Sequence, residues 1–378
     1  MPTMVVWQLR WYWELTLLLR VVSELTFLSD RKNYHQTCFR SYTRMSNKLK
    51  AAIIGLGWAG CEHLKGYVEN PQSEVFAVCD MDEDRARQIA KENNIPHVFT
   101  DHQKMLEQSE IDVISIGLPN FLHAPVTIDA LNAGKHVLCE KPPARNSEEA
   151  IAMAEAAEKN DKTLMYALVL RFSADAQALR KMVDDGELGQ IYFGRAGYVR
   201  RRGIPIGAGA WFVDKSRSGG GGLIDIGVHA LDRCWWLMGS PKPISVLGAT
   251  FSHFKHLVPK DVKYDVDDSA FAQIRFENGA TLMLEATWAL NLPGGGYTQI
   301  AGTLAGGKID PLTIYKDDQD IIPEVEDVNG YRAEVDHFID CVISGETPIA
   351  SAEQGITLMK MLDAIYKSSD KMGEIRIN

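Results

Sequence analysis

The stretch that most restricts what this chain can fold into is residues 50–60, KAAIIGLGWAG. An apolar run of β-type, Ala51 to Ile54, leads directly into Gly55-Leu56-Gly57-Trp58-Ala59-Gly60, the G-x-G-x-x-G spacing of a dinucleotide-binding turn. Each glycine has its own physical task. Gly55 permits the tight strand-to-helix turn, Gly57 lets backbone approach a pyrophosphate, and Gly60 lets the following helix pack closely on the strand. A helix starting there aims free N–H groups and its positive dipole end at phosphates. Glycine-rich turns are common, so the context decides. The helix-compatible CEHLKGYVEN follows, then a second strand, Glu74 to Cys79, ending in Asp80. Asp80 lies twenty residues beyond Gly60, where a carboxylate accepts hydrogen bonds from an adenosine ribose.

The pattern continues as strand and helix alternation. A polar-faced helix spans MDEDRARQIAKENN, and a short strand covers Pro96 to Phe99. A helix over Asp101 to Glu107 precedes a buried strand, Ile111 to Ile116. Next come a helix from Ala124 to Ala133, a strand from Lys135 to Cys139, and a helix from Ser147 to Asn160 with Ser147 as its cap. This predicts an α/β fold, a doubly wound parallel sheet over residues 45–170, with a strand from Thr163 to Arg171 leaving it. Pro119 and Asn120 fall at the C-terminal end of a strand, the edge where open sheets bind ligands. Lys141 does too, in Glu140-Lys141-Pro142-Pro143. Lysine in a loop is usually solvated, but a rigid turn at the ligand edge also suits an ammonium placed beside a nicotinamide ring.

From residue 171 to 378 the pattern changes to an α+β domain with an open, mostly antiparallel sheet. Ser269 to Phe276 and Ala280 to Leu290 flank Asn278-Gly279, a strong hairpin signal. Strands over Gln190 to Arg200 and Tyr297 to Thr303, and helices over Ala174 to Asp185, Tyr331 to Ser344 and Ala352 to Ser368, complete it. Residues 201–222 form a long loop rich in glycine, aromatic and basic residues, and substrate specificity is expected mostly from Arg200 to Arg217. A helix then runs from Leu223 to about Met238. Asp225, His229 and Asp232 share one face of it at α-helical spacing. Asp225 and His229 suit an acid–base pair, with the carboxylate orienting the ring. They equally suit a first-turn dipole partner and a satisfied core histidine. The run Gly219 to Gly222 favours the pair, by leaving room for a ligand to approach the helix start. An aspartate and histidine with no third ligand nearby make a poor metal site, so no metal is expected.

Composition excludes some classes. The net charge of −10 argues against nucleic acid as a partner. Six cysteines without a C-x-x-C pair fit a reducing cytoplasm better than a disulfide framework. Residues 1–44 differ from the rest. Their apolar stretch LTLLLRVVSELTFL is broken by Arg20 and Glu24, too short for a membrane span and without the basic flank of a secretory signal. They are expected to be an upstream extension or a misassigned start, with the fold beginning at Met45.

Taken together, GLGWAG with Asp80, GLPNFLH, CEKP and GGGGLIDIGVHALD resemble, in that order, the Gfo/Idh/MocA family of sugar and inositol oxidoreductases, from about Leu49 to the C-terminus. The resemblance implies hydride transfer between a nicotinamide and a secondary alcohol of a sugar, inositol or polyol, and a homodimer or homotetramer. It implies that Lys141, Asp225 and His229 are catalytic, with His229 taking the hydroxyl proton and Asp225 orienting His229. It carries cofactor binding to Gly55, Gly57, Trp58, Ala59, Gly60, Asp80, Pro119, Asn120, His123, Glu140 and Lys141. Arg171, Trp211 and Lys215 are substrate-contact candidates. Asp80 favours NAD over NADP, because a 2′-phosphate beside it would be repelled, although Arg85 and Arg87 are close in sequence. Two alternatives stay open: an enzyme that retains NAD for internal redox in elimination or glycoside hydrolysis, and a non-catalytic nucleotide sensor.

Overall fold

The computed structural model describes residues 48–377; the extension expected over residues 1–44 lies outside the described residues. Six parallel strands form the first sheet: β1 (Leu49–Ile54), β2 (Ser73–Cys79), β3 (His97–Phe99), β4 (Val113–Ile116), β5 (His136–Glu140) and β6 (Leu164–Ala167). Their order is β3-β2-β1-β4-β5-β6, the doubly wound arrangement. The inner strands are continuous apolar runs because helices cover both faces; all four residues of β4 are buried. The order reverses between β1 and β4. A Cβ at Gly55 there would lie 2.6 Å from the Gly117 carbonyl oxygen, and Gly55 has a φ of +88°.

Three helix starts in this half are capped by a side chain. Asp82, Asp101 and Asn146 each accept a backbone N–H from the first turn of the helix they precede. Asn146, not Ser147, therefore caps the helix Ser147–Lys159. Two starts are uncapped: Asn120–Asn132, which follows Pro119, and Trp58–Glu69, whose cap position is Gly57 and has no side chain to offer. Its first N–H groups stay free for a ligand. The strand expected to run to Arg171 stops at Ala167 and turns into a 3₁₀ segment, Val169–Phe172.

The centre of the second sheet is β7 (Ile191–Val199), β8 (Pro243–Phe251), β9 (Ser269–Phe276), β10 (Thr281–Thr287) and β11 (Gly295–Gly302). With β12 (Gly306–Lys308), β13 (Thr313–Lys316), β14 (Gln319–Ile321) and β15 (Ile375–Arg376) the sheet has nine strands among the described residues, in the order β14-β13-β12-β11-β7-β10-β9-β8-β15. Pairing is antiparallel except between β7 and β10. The β9–β10 hairpin turns at Asn278-Gly279, where Gly279 has a φ of +84° and Asn278 Oδ1 accepts the Ala280 N–H. Strand β8 has no counterpart in the sequence expectations. Its Pro243 and Gly248 read as breakers, yet Gly248 is where the helix Ala352–Lys371 packs close, a Cβ there lying 3.0 Å from Ile365.

The last two helices return to the nucleotide-binding half rather than staying beyond residue 171. Gly330–Ser344 packs on Trp58–Glu69, where a Cβ at Gly66 would lie 2.8 Å from Val335, and Arg332 pairs with Glu69 at 2.9 Å. Ala352–Lys371 meets the helix Ser147–Lys159, with the Ser147 N–H donating to Asp363 at 2.9 Å.

Candidate active site

A cavity of about 1400 Å³ runs along the carboxyl ends of β1, β4 and β5 and continues to the second sheet. At one end lies the glycine turn. A Cβ at Gly57 would meet nothing within 4 Å, whereas one at Gly60 would lie 1.9 Å from the Gly55 carbonyl oxygen. Gly57 therefore faces open space and Gly60 faces protein. Asp80 braces this turn: its carboxylate accepts the Leu56 N–H at 2.7 Å and the Asp82 N–H at 2.9 Å. Trp58, Ala59, Pro119, Asn120 and Glu140 also line the cavity. Arg85 reaches it as well, while Arg87 is held by Glu83 on the exposed face of its helix.

His123 differs from the expectation. It is fully buried, with Nδ1 2.8 Å from the Pro142 carbonyl and Nε2 2.7 Å from the Leu118 carbonyl, and it does not line the cavity. It ties together the two turns that do. Asn120 spans the halves, its side-chain amide donating to the Ser218 carbonyl at 2.8 Å.

At the other end stand Lys141, Asp225 and His229. The Lys141 ammonium donates to the Asp225 backbone carbonyl at 2.9 Å and to its carboxylate at 3.2 Å. The second Asp225 oxygen accepts the indole N–H of Trp288 at 2.9 Å, and Trp288 is fully buried. Asp225 thus orients Lys141, not His229. The reason is local: Leu223–Gly227 is a π-helical segment, so the spacing between Asp225 and His229 is not that of a regular α-helix. His229 lines the cavity, and its ring has no hydrogen-bond partner among the described residues. Burial, then the positive charges of Lys141, Arg233 and Arg200, push its pKa well below the ordinary value. A neutral imidazole facing an open cavity is a proton acceptor.

The glycine run does not make room for a ligand. A Cβ at Gly221 would lie 1.8 Å from the Asp267 carbonyl oxygen, and one at Gly220 would lie 2.1 Å from the Tyr366 hydroxyl. These residues let the π segment sit against protein, where Asp267 accepts the Gly221 and Leu223 N–H groups at 2.7 and 2.8 Å.

The three substrate candidates separate. Trp211 lines the cavity, stacked on Phe212 at 3.8 Å. Arg171 is fully buried and pairs with Asp232, its Nε 3.0 Å from the carboxylate; this pair removes both Arg171 and Asp232 from the cavity. Lys215 is exposed and lies over the Tyr366 ring, outside the lining. Arg200 and Arg217, the two ends of the loop expected to carry specificity, also line the cavity, as do Tyr198 and Tyr331, which sequence reasoning did not find. Arg217 lies over the Phe121 ring at 4.7 Å and Arg200 over the Tyr198 ring at 5.2 Å.

Residues 49–168 match the family model described as the oxidoreductase family, NAD-binding Rossmann fold, and residues 176–306 match the GFO/IDH/MocA C-terminal domain. The chain is 36% identical over 342 residues to D-glucoside 3-dehydrogenase of Escherichia coli K12, covering 86% of this chain and 96% of that one. It is 28% identical over 320 residues to the NAD-dependent scyllo-inositol 2-dehydrogenase of Bacillus subtilis 168, covering 81% and 90%. Levoglucosan dehydrogenase in complex with NADH and levoglucosan superposes with a TM-score of 0.77 at 25% identity, covering 88% of this chain and all of that one.

Proposed function

The chain belongs to the Gfo/Idh/MocA oxidoreductase family, and from that premise we propose that it oxidises a secondary hydroxyl of a pyranoside with NAD as the hydride acceptor. As a member of that family it is a dehydrogenase acting on sugars or polyols. The observation that carries the finer reading is the convergence of Lys141, Asp225 and His229 on the same cavity as the open face of Gly57.

The residues present fit a dinucleotide. Gly57 leaves a cradle that a side chain would fill, the uncapped helix start offers N–H groups to the pyrophosphate, and Asp80 suits a ribose hydroxyl. When bound, the nicotinamide supplies the hydride acceptor. His229 takes the proton of the substrate hydroxyl. Lys141 donates a hydrogen bond to the same oxygen and stabilises the negative charge that develops on it, while Asp225 and Trp288 hold that ammonium in place. Trp211, Arg200 and Tyr198 are the proposed sugar contacts, and D-glucosides are the first class to try because of the E. coli relative. Asp80 favours NAD; Arg85 is the group that opposes this preference.

The open face of the second sheet supports a homo-oligomer. Leu247, Gln273, Met283, Arg195 and Gln299 form one row across five strands, with Leu247 52% and Met283 43% exposed. The five cysteines among the described residues are free, which suits a cytoplasmic enzyme.

The test is NADH absorbance during a screen of glucosides, inositols and aldoses with NAD and then NADP. Product with a glucoside and NAD supports the reading. Tight NAD binding without reduction by any of them moves it to internal redox with retained cofactor. Lys141→Ala is expected to lower kcat by about 10²- to 10³-fold while the NAD dissociation constant stays within about twofold. An unchanged kcat removes Lys141 from the mechanism.

A further inference from the structure

At the cavity wall, which Glu140 lines, three ionisable side chains from three separate elements meet. His63 comes from the helix Trp58–Glu69, Glu140 from the end of β5 and Glu334 from the helix Gly330–Ser344. His63 and Glu334 are fully buried, and Glu140 is 7% exposed. The His63 Nε2 lies 3.3 Å from Glu140 Oε1 and 3.8 Å from Glu334 Oε2. Tyr331 closes the cluster, its ring centroid 6.3 Å from that of His63. Neither carboxylate oxygen of Glu334 and neither ring nitrogen of His63 has a hydrogen-bond partner among the described residues, so His63 meets both glutamates at ion-pair distance alone. Burying such groups is costly, and packing alone does not account for them, because apolar side chains of the same volume fill such space as well or better.

What the cluster touches gives it a task. The other Glu140 oxygen accepts the backbone N–H of Lys141 at 2.9 Å, which fixes the residue that carries the ammonium held by Asp225. Burial opposes ionisation of Glu140, but the His63 ring nitrogen 3.3 Å away, with the charge and N–H of Lys141, holds its carboxyl below the usual range. Burial, together with the Glu140 and Asp232 charges, pushes the Glu334 carboxyl well above its usual range, so it is a neutral acid at the closed end of the cluster. We infer that His63 and Glu334 are positioning residues for the lysine: the His63 Nε2 stands against Glu140, Glu334 faces that same nitrogen, and Glu140 sets the backbone from which Lys141 reaches the cavity. None of the three needs to touch the substrate for this. The arrangement also makes the lysine depend on the helix Gly330–Ser344, far from it in sequence.

An amide pair tests the inference, because glutamine extends its terminal N–H₂ to about where Nε2 stands in histidine and asparagine reaches only to about Nδ1. His63→Gln keeps a donor on Glu140; His63→Asn does not. Two readouts are taken on the full chain. The first is the rate at which a lysine-directed acylating reagent modifies Lys141, followed by peptide mass spectrometry, which needs no substrate. The second, resting on the dehydrogenase reading, is kcat and KM for NAD and a glucoside. His63→Gln is expected to match the wild type in both. His63→Asn is expected to label at Lys141 several-fold faster and to lose kcat by about ten- to a hundredfold with KM for NAD little changed. Glu334→Gln, a neutral acid replaced by a neutral amide, is expected to stay near wild type, and Glu334→Leu to resemble His63→Asn in the labelling. Equal labelling of Lys141 in wild type, His63→Gln and His63→Asn overturns the inference, whatever the enzyme turns out to oxidise. Absence of turnover in the wild type counts against the dehydrogenase reading alone and leaves the labelling result to decide this one.

Discussion

Asp225 shows how much one side chain's partners change its chemical role. At α-helical spacing it belongs with His229; in the structure it belongs with Lys141 and Trp288. Trp288→Phe removes the donor and puts a smaller ring in a fully buried site, leaving one oxygen of a buried carboxylate unpaired at a cost of about 1–3 kcal/mol in addition to the lost packing. The expected result is a kcat lowered by about tenfold, as one lost charge-assisted hydrogen bond gives, with KM for the sugar nearly unchanged. His229 makes its own prediction. A base works only when neutral, and because its pKa is depressed, proton acceptance is fully available at neutral pH and is lost only as pH falls through the depressed value. The acid limb of kcat/KM should therefore have its midpoint below about 6.5, the ordinary histidine value, and a midpoint at or above that value would count against His229 as the base. At this scale Lys141 and His229 stood out in the sequence by type and place, and both line the cavity. Their partners were not legible. Trp288 is sixty-three residues from Asp225, and no local pattern couples them. Arg171 misled for a related reason: at the end of the nucleotide-binding half it looked like a ligand group, but Asp232 neutralises it in the interior.

The elements nearest the cofactor were the most legible, because each rests on local chemistry. Gly55 and Gly57 lie two residues apart in one turn but are expected to fail differently when substituted. Gly55→Ala forces a side chain into positive φ and into the Gly117 carbonyl, so it should lower the melting temperature, by the equivalent of about 2 kcal/mol. Gly57→Ala adds a Cβ that meets no protein atom within 4 Å. It should leave the melting temperature of the cofactor-free protein within about a degree of the wild type while weakening NAD binding by about tenfold or more, 1.4 kcal/mol. Calorimetry and a fluorescence titration on the two variants separate the roles. The glycine run before the π segment was less legible. Glycine leaves space whether a ligand or the protein's own backbone fills it, and only the fold reveals that Asp267 and Tyr366 are the occupants.

For the whole molecule, strand alternation sufficed to separate a parallel sheet from a largely antiparallel one. It did not show where the final helices go, since an amphipathic helix states that it covers something and not what. The open sheet face yields a direct test. Met283→Glu puts a charge at the centre of the exposed row without disturbing the covered face, so light scattering after size exclusion should show a smaller species than the wild type, with the circular dichroism spectrum retained. If wild type and variant elute alike as monomers, this face is not an oligomer interface. The return of the helix Gly330–Ser344 to the helix Trp58–Glu69 has another consequence, for how the protein is made. The surface around Gly66 and the seat of His63 are closed by a helix whose Arg332 is made 263 residues after its partner Glu69. The nucleotide-binding half must therefore wait, with an apolar groove open, until that helix has emerged. In the cell, that interval is when this protein most needs a chaperone.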